Sequence, residues 1–224
     1  MLTRGFAKIE GAIRAFNFDF RGKVVLDIGS STGGFTEAAL NQGAKKVIAV
    51  EKGSHQMKSP LRFDPRVELH EKTDIFNYDL GTGGRNLLFA GPPEPGKARL
   101  SAARPCRRAE RTQPKKSNFG QAPFPDIIVA DVSFISLRPI LKYAKHHLAG
   151  NHTDFLVMLK PQFEAKPHQL WKGVVKNEKI RREIIKDFEY WLKQNGFVVI
   201  KKRDNDLPGR TGNLERFYFL RLAK

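Results

Sequence analysis

The sequence predicts an α/β domain built on a mostly parallel sheet, with helices on both faces and an antiparallel pair at the end. Three observations carry that prediction. Seven short apolar runs alternate along most of the chain with stretches of helical period. The first run passes straight into a glycine-rich turn and then an amphipathic stretch, LDIGSSTGGF at 26–35, which is the βα unit of an open sheet. The last two runs have no helix between them, so they close as an antiparallel hairpin.

Taken in order, Phe6, Ile9, Ile13 and Phe16 share one helical face and predict a helix over 5–16. VVLDI at 24–28 and KVIAVE at 46–51 read as buried strands. FTEAALNQ between them reads as a helix stopped by Gly43. VELHE at 67–71 is a weaker strand, and DIIVADV at 126–132 is a strand ending in a carboxylate. Leu137, Leu141, Ala144 and Leu148 mark a helix that stops at Gly150, and DFLVMLK at 154–160 is a strand ending in lysine. Ile180, Ile184, Ile185, Phe188 and Leu192 mark a long helix ending at Asn195-Gly196. FVVIKK and ERFYFLRL supply the final strands.

The glycine turn carries the most chemistry. Small residues let a ligand approach the backbone, and the helix start presents unpaired N–H groups. Its spacing, Gly29 and then Gly33-Gly34, departs from the G-x-G-x-x-G that seats a dinucleotide pyrophosphate. Asp27 ahead of the turn would repel a phosphate but suits a cationic or hydroxyl-bearing ligand. That combination points to S-adenosylmethionine, whose amino acid part carries an ammonium. A bare βα turn without a ligand is the competing reading.

At 224 residues the chain is expected to form one domain, 1–224. Its 40 Lys and Arg against 23 Asp and Glu leave a net charge of +17, more than solubility requires. Such an excess predicts a polyanionic partner, nucleic acid before anionic membrane. The single Cys106 excludes an intramolecular disulfide, and no residue spacing resembles a zinc cluster, so no metal is expected. The opening MLTRGFAKIEGAIRAF has neither signal-peptide nor transit-peptide character, and no apolar run approaches the roughly 18 residues of a membrane span. The expected location is the cytoplasm.

Residues 81–123 fit none of the periodic patterns. They are rich in Gly and Pro and hold nine basic residues (Arg85, Lys97, Arg99, Arg104, Arg107, Arg108, Arg111, Lys115 and Lys116) against Glu94 and Glu110, a net +7. Two readings stand for this insertion: a mobile basic loop that helps hold RNA, or a poorly ordered insertion without a role.

Ligands of open α/β sheets sit beyond the carboxyl ends of the strands. There the sequence places Glu51, suited to the two hydroxyls of a ribose, and Asp74, suited to an adenine amino group. With Asp27, three carboxylates on consecutive strands favour an adenosine-containing ligand, although strand-end carboxylates are also often merely solvated. Asp131 in ADVSFIS and Lys160 in LKPQFE follow the next two strands. An ammonium directly after FLVML is costly unless paired or exposed, so the two either lock each other beside the ligand or form an ordinary ion pair at the sheet rim. Glu215, which opens the last strand, is placed to join them.

TRGFAKIEGAI, LDIGSSTGGFTEAALNQGA, DPRVELHEKTD, ADVSFISL, LKPQFEA and LPGRTGNLERFYFL together resemble the TlyA family, which belongs with the FtsJ-type ribosomal RNA 2′-O-methyltransferases. The resemblance covers 1–80 and 124–221 and fails only over the basic insertion. It implies a Rossmann-like class I methyltransferase fold and S-adenosylmethionine as donor, held around Asp27, Gly29, Ser31, Thr32, Gly33, Gly34, Phe35, Glu51, Asp74 and Asp131. It also implies a catalytic set of Lys8, Asp131, Lys160 and Glu215, with ribosomal RNA or a ribosomal subunit as partner. In that scheme Lys160 lowers the pKa of a ribose hydroxyl, or takes its proton if neutral, and Asp131 orients the lysine. Lys8 and Glu215 hold the ribose in line with the methyl group.

Two departures from the family pattern bear on substrate handling. Family members usually carry a small RNA-binding module ahead of the first motif, whereas this chain starts at that motif. Lys8 therefore lies near a terminus expected to fray. Where the family carries Gly-Gly-Val-Val, this chain reads HQLWKGVVKNE, and Trp171 there either stacks a base or covers the core. Rival functions are an RNA-binding relative with weakened catalysis, a membrane-acting haemolysin, a nicotinamide-dependent oxidoreductase and a small-molecule methyltransferase. The haemolysin lacks a candidate spanning or amphipathic segment, the glycine spacing disfavours the oxidoreductase, and a small-molecule substrate leaves +17 unexplained.

Overall fold

The computed structural model describes residues 3–80, 124–209 and 211–223; the 81–123 insertion lies outside them. Seven strands form one sheet: β1 (Val24–Ile28), β2 (Lys46–Val50), β3 (Val67–His70), β4 (Ile127–Ala130), β5 (Asp154–Leu159), β6 (Phe197–Asp204) and β7 (Arg216–Leu222). Their order across the sheet is β3-β2-β1-β4-β5-β7-β6. The first five pair in parallel, while β7 runs antiparallel between β5 and β6. The expected hairpin is therefore present, and its second strand is the one inserted beside β5.

Period-two alternation sorts each strand between two cores. Val25, Val47, Ile127, Val129, Leu156, Met158, Phe217 and Phe219 face α1 (Arg4–Phe16) and α2 (Gly34–Asn41). Leu26, Ile28, Ile48, Val50, Ile128, Phe155, Val157 and Tyr218 face α3 (Leu137–Tyr143) and α5 (Glu178–Gln194). A one-residue slip in any central strand would exchange these two sets, so the register is strongly fixed.

The helices start where side chains can accept their free N–H groups. Thr3 accepts from Phe6 N at 3.2 Å to open α1, and Asn177 accepts from the N–H of Lys179 and of Ile180 to open α5. The expected helix over 137–148 is shorter than its apolar spacing suggests. It ends at Tyr143 and continues to Leu148 as a wider π turn. A short α4 (Pro161–Glu164), begun by proline, follows β5 directly, and the sequence pattern gave no sign of it.

Gly34 sets how α1 sits on the sheet. A Cβ on Gly34 would lie 2.6 Å from Thr3 Oγ1 and 2.7 Å from Phe6 N, so α1 begins directly on the start of α2. Lys8 rides on that helix and is only 7% exposed, so the expected fraying does not reach it. The Thr3 cap and the close helix crossing hold it. Among the described residues, no helix is long and apolar enough to cross a membrane, and no group of His, Cys, Asp or Glu is arranged to hold a metal ion.

Candidate active site

The predicted site residues fall along one edge of the sheet in strand order. Asp74 follows β3, Glu51 follows β2, Asp27 and the glycine turn close β1, Asp131 follows β4 and Lys160 follows β5. Glu215 precedes β7, whose reversed direction brings its start to the same edge. Leu159 pairs with Arg216, so Lys160 and Glu215 are the next residues beyond that pair. At about 4.8 Å between strands, the row spans about 24 Å, enough for an elongated ligand and a substrate side by side.

The β1 turn is bent to bring backbone close to this edge. Gly29 and Gly33 have φ of 79° and 90°, and a Cβ on Gly33 would lie 2.3 Å from Leu61 Cδ2. A Cβ on Gly29 would lie 3.1 Å from the carbonyl oxygen of Asp131, so glycine there lets the ends of β1 and β4 approach. Ser31, at φ 47°, and Thr32 are exposed on the turn, while Gly33, Gly34 and Phe35 are buried beneath it.

Asp27 is completely buried and accepts a 2.6 Å hydrogen bond from the Thr36 hydroxyl. Its Oδ1 is also buried and has no protein partner. Burial pushes this carboxyl up to about 7; the Thr36 hydroxyl opposes the rise, and the nearby Asp131 and Glu51 charges add to it. Glu51 joins two turns, accepting from Ser31 N at 2.8 Å and from Gly53 N at 2.6 Å. Asp74 accepts from Phe76 N at 3.1 Å and pairs with Lys52 at 3.0 Å. Burial pushes the Asp74 carboxyl up, but the lysine and that N–H outweigh it and hold it below the usual range.

S-adenosylmethionine fits this end of the row. A buried carboxylate oxygen free of protein partners, a turn bent by glycines at positive φ that leaves Ser31 and Thr32 exposed, and a partly exposed Glu51 supply sites for an ammonium, a close backbone approach and ribose hydroxyls. Glu51 and Asp74 each already have protein partners at both carboxylate oxygens, so a ribose hydroxyl or an adenine amino group would use their remaining lone pairs.

At the other end lie two ion pairs. Lys160 is 2.6 Å from Asp131 and donates to the Ser133 hydroxyl at 2.8 Å, with the lysine and aspartate side chains 10% and 22% exposed. Lys8 reaches Glu215 at 2.5 Å, both side chains nearly inaccessible. Pattern reasoning missed Glu164, which braces the loops that carry the Lys160–Asp131 pair. Glu164 accepts from the Ser136 hydroxyl, Leu137 N and Arg138 Nε, at 2.8, 2.7 and 3.1 Å, and so ties the loop after β4 to the loop after β5. Its place in LKPQFE, one turn beyond Lys160, was the available signal. Trp171, for which covering the core was one reading, is 54% exposed, so that reading is corrected. The tight Lys172-Gly173 turn, with φ of 47° and 79°, lifts it off the core.

Residues 1–222 match the model of the FtsJ-like methyltransferase family. The chain is 32% identical over 221 residues to the 16S/23S rRNA (cytidine-2′-O)-methyltransferase TlyA of Mycobacterium tuberculosis, an alignment covering 98% of this chain and 68% of that protein. A solved protein described as a hemolysin, from Lactococcus lactis, is 30% identical with a TM-score of 0.76, over 98% of this chain and 88% of that one. A solved protein from Listeria monocytogenes, described as an S-adenosylmethionine dependent methyltransferase, shares the fold at 14% identity and a TM-score of 0.57, over 98% and 97% of the two chains. The chain spans between 63% and 74% of the length of the curated relatives it matches. With the strand order, the glycine turn and a match along nearly its whole length, the chain belongs to the FtsJ-like methyltransferase family.

Proposed function

We propose that this protein transfers a methyl group from S-adenosylmethionine to a ribose 2′-hydroxyl of ribosomal RNA. The observation that carries the reading is the Lys160–Asp131 pair, held at 2.6 Å beside the glycine turn and next in register to the buried Lys8–Glu215 pair. When bound, the donor supplies an electrophilic methyl group on a sulfonium. The chain's own residues supply position and charge.

A ribose hydroxyl is a poor nucleophile because it holds its proton far above neutral pH. The Lys160 ammonium, fixed between Asp131 and Ser133, stabilises negative charge developing on that oxygen as the hydroxyl proton leaves to water. Asp131 sets where the ammonium sits and lies close enough to the donor end of the row for its charge to act on Asp27. Lys8 and Glu215 line the ribose side, and their mutual pairing keeps two buried charges compensated. Alignment of oxygen, methyl carbon and sulfur supplies much of the acceleration, and rigid strand ends suit that task. Asp27, Gly29, Ser31, Thr32, Gly33, Gly34, Phe35, Glu51 and Asp74 hold the donor. The +17 charge supplies the attraction for ribosomal RNA, and the setting for that substrate is the cytoplasm.

The test is incubation with labelled donor and separated ribosomal subunits from cells lacking the protein, followed by mapping of the methylated ribose. Label on a base or a protein instead of a ribose would overturn the assignment.

A further inference from the structure

We propose that the hairpin carrying Trp171 is a stacking platform for an unpaired RNA base flanking the methylated nucleotide. The choice of RNA rests on the function proposed above. Trp171 and Val174 exchange backbone hydrogen bonds of 2.9 and 3.0 Å around Lys172-Gly173, both at positive φ, which makes a tight two-residue hairpin. The indole side chain stands at its base, 54% exposed. The Lys176 and Lys172 ammonium groups lie 3.4 and 4.9 Å from the ring centroid, and among the described residues neither forms an ion pair with a carboxylate.

An exposed aromatic ring with two ammonium groups beside it matches single-stranded nucleic acid, the ring for a base and the ammoniums for phosphates. Cation–π contacts at exposed rings are weak, so a base can replace a lysine on the ring face. The hairpin is also aimed by its mounting. Asn213, 2% exposed, accepts from Val175 N at 3.0 Å and donates to Gly173 O at 3.0 Å. Asn213 lies two residues before Glu215, so one buried amide fixes the platform to the loop that delivers the ribose-side carboxylate. A solitary ring between lysines, rather than a broad apolar face, favours RNA over a lipid surface.

The chain has two tryptophans, and Trp191 packs against Phe188 and Phe197. In the full chain carrying Trp191→Phe, Trp171 is therefore the sole tryptophan reporter. Titration with a short oligouridylate should quench its emission saturably, because a stacked base touches the ring. Heparin, a polyanion without bases, should bind and leave the emission unchanged. Trp171→Ala should weaken oligouridylate binding by about tenfold, and Trp171→Phe should recover most of the loss.

RNA binding with unchanged emission and unchanged affinity in Trp171→Ala overturns the platform. So does failure to bind the oligonucleotide, or a spectral shift seen only with vesicles containing phosphatidylglycerol. Methyl transfer to ribosomal subunits, measured on the same wild-type preparation, separates the two proposals. Transfer without stacking sinks the platform alone, and stacking without transfer sinks the enzymatic reading alone.

Discussion

Replacing Asp27 by Asn separates the cost of burying this carboxyl from its use in binding. In the folded chain it is fully buried, and its pKa is raised from 3.8 to about 7, by burial first and then by the Asp131 and Glu51 charges. Between those two values the unfolded chain has released the proton and the folded chain still holds it. Rising pH therefore favours unfolding across that window, and the loss levels off above pH 7. At about 1.4 kcal/mol per pH unit, the window from 3.8 to about 7 removes about 4 kcal/mol of stability. Asp27→Asn keeps an acceptor for the Thr36 hydroxyl and has nothing to titrate. In urea unfolding without donor, the variant should gain on the wild type by about 3 kcal/mol between pH 5 and pH 8. Calorimetry should show the converse for binding. Wild-type affinity for S-adenosylmethionine should climb by up to about tenfold per pH unit toward pH 7, because its ammonium favours the ionised carboxyl, and the variant should lose that climb. Parallel pH profiles for the two proteins in urea would refute the reasoning.

Lys160→Ala should reduce methyl transfer by at least about 100-fold while donor affinity by calorimetry stays nearly unchanged; retained turnover would remove the lysine from the mechanism. Lys8→Ala leaves Glu215 buried without its cation and should cost about 3–5 kcal/mol in urea unfolding. The paired change Lys8→Met with Glu215→Leu should restore much of that stability without restoring transfer. Gly34→Ala forces a Cβ to within 2.6–2.9 Å of the start of α1 and should cost about 1–3 kcal/mol, read by the same unfolding assay. Replacing 81–123, with its net +7, by a short Gly-Ser linker should flatten the dependence of RNA affinity on salt, and an unchanged slope would retire the RNA role of the insertion.

Much of this architecture is legible in the sequence because parallel strands buried on both faces read as mostly apolar runs, and β1, β2, β4 and β5 all do. Asp27 and Lys160 stand out for the same reason, one a charge inside such a run and the other directly after one. Where period and local turn chemistry conflict, the sequence is a weaker guide. The spacing of Leu141, Ala144 and Leu148 continues as if α3 were regular, yet the backbone widens into a π turn after Tyr143. Glu164 leaves only a positional hint, one turn beyond Lys160, because its work is done on N–H and O–H groups twenty-six to twenty-eight positions away, at Ser136, Leu137 and Arg138. Trp171 illustrates the opposite difficulty. An isolated aromatic in a polar stretch fits a core plug or an exposed platform equally well until the Lys172-Gly173 turn fixes its direction.

The Lys8–Glu215 pair shows why the final strand matters to chemistry as well as to the fold. These residues are 207 positions apart, and no local pattern joins them. Had the last strand run parallel, its start would have fallen at the opposite edge of the sheet, away from every other group in the row. Because β7 enters antiparallel beside β5, residue 215 arrives next to residue 160, and α1, laid across the start of α2 by Gly5 and Gly34, brings Lys8 down onto it. The same contact then serves two ends. It compensates two buried charges, and it fixes α1 against the edge that carries the predicted site residues. Loosening α1 should therefore lower turnover through misplacement of Lys8 even when donor affinity holds, since the donor-side residues sit on β1, β2 and β3 and their turns. A Thr3→Ala protein, which loses the cap of α1 and leaves the donor-side residues in place, would make that separation measurable, and unchanged kcat in a variant shown to be destabilised would break the link between helix position and chemistry.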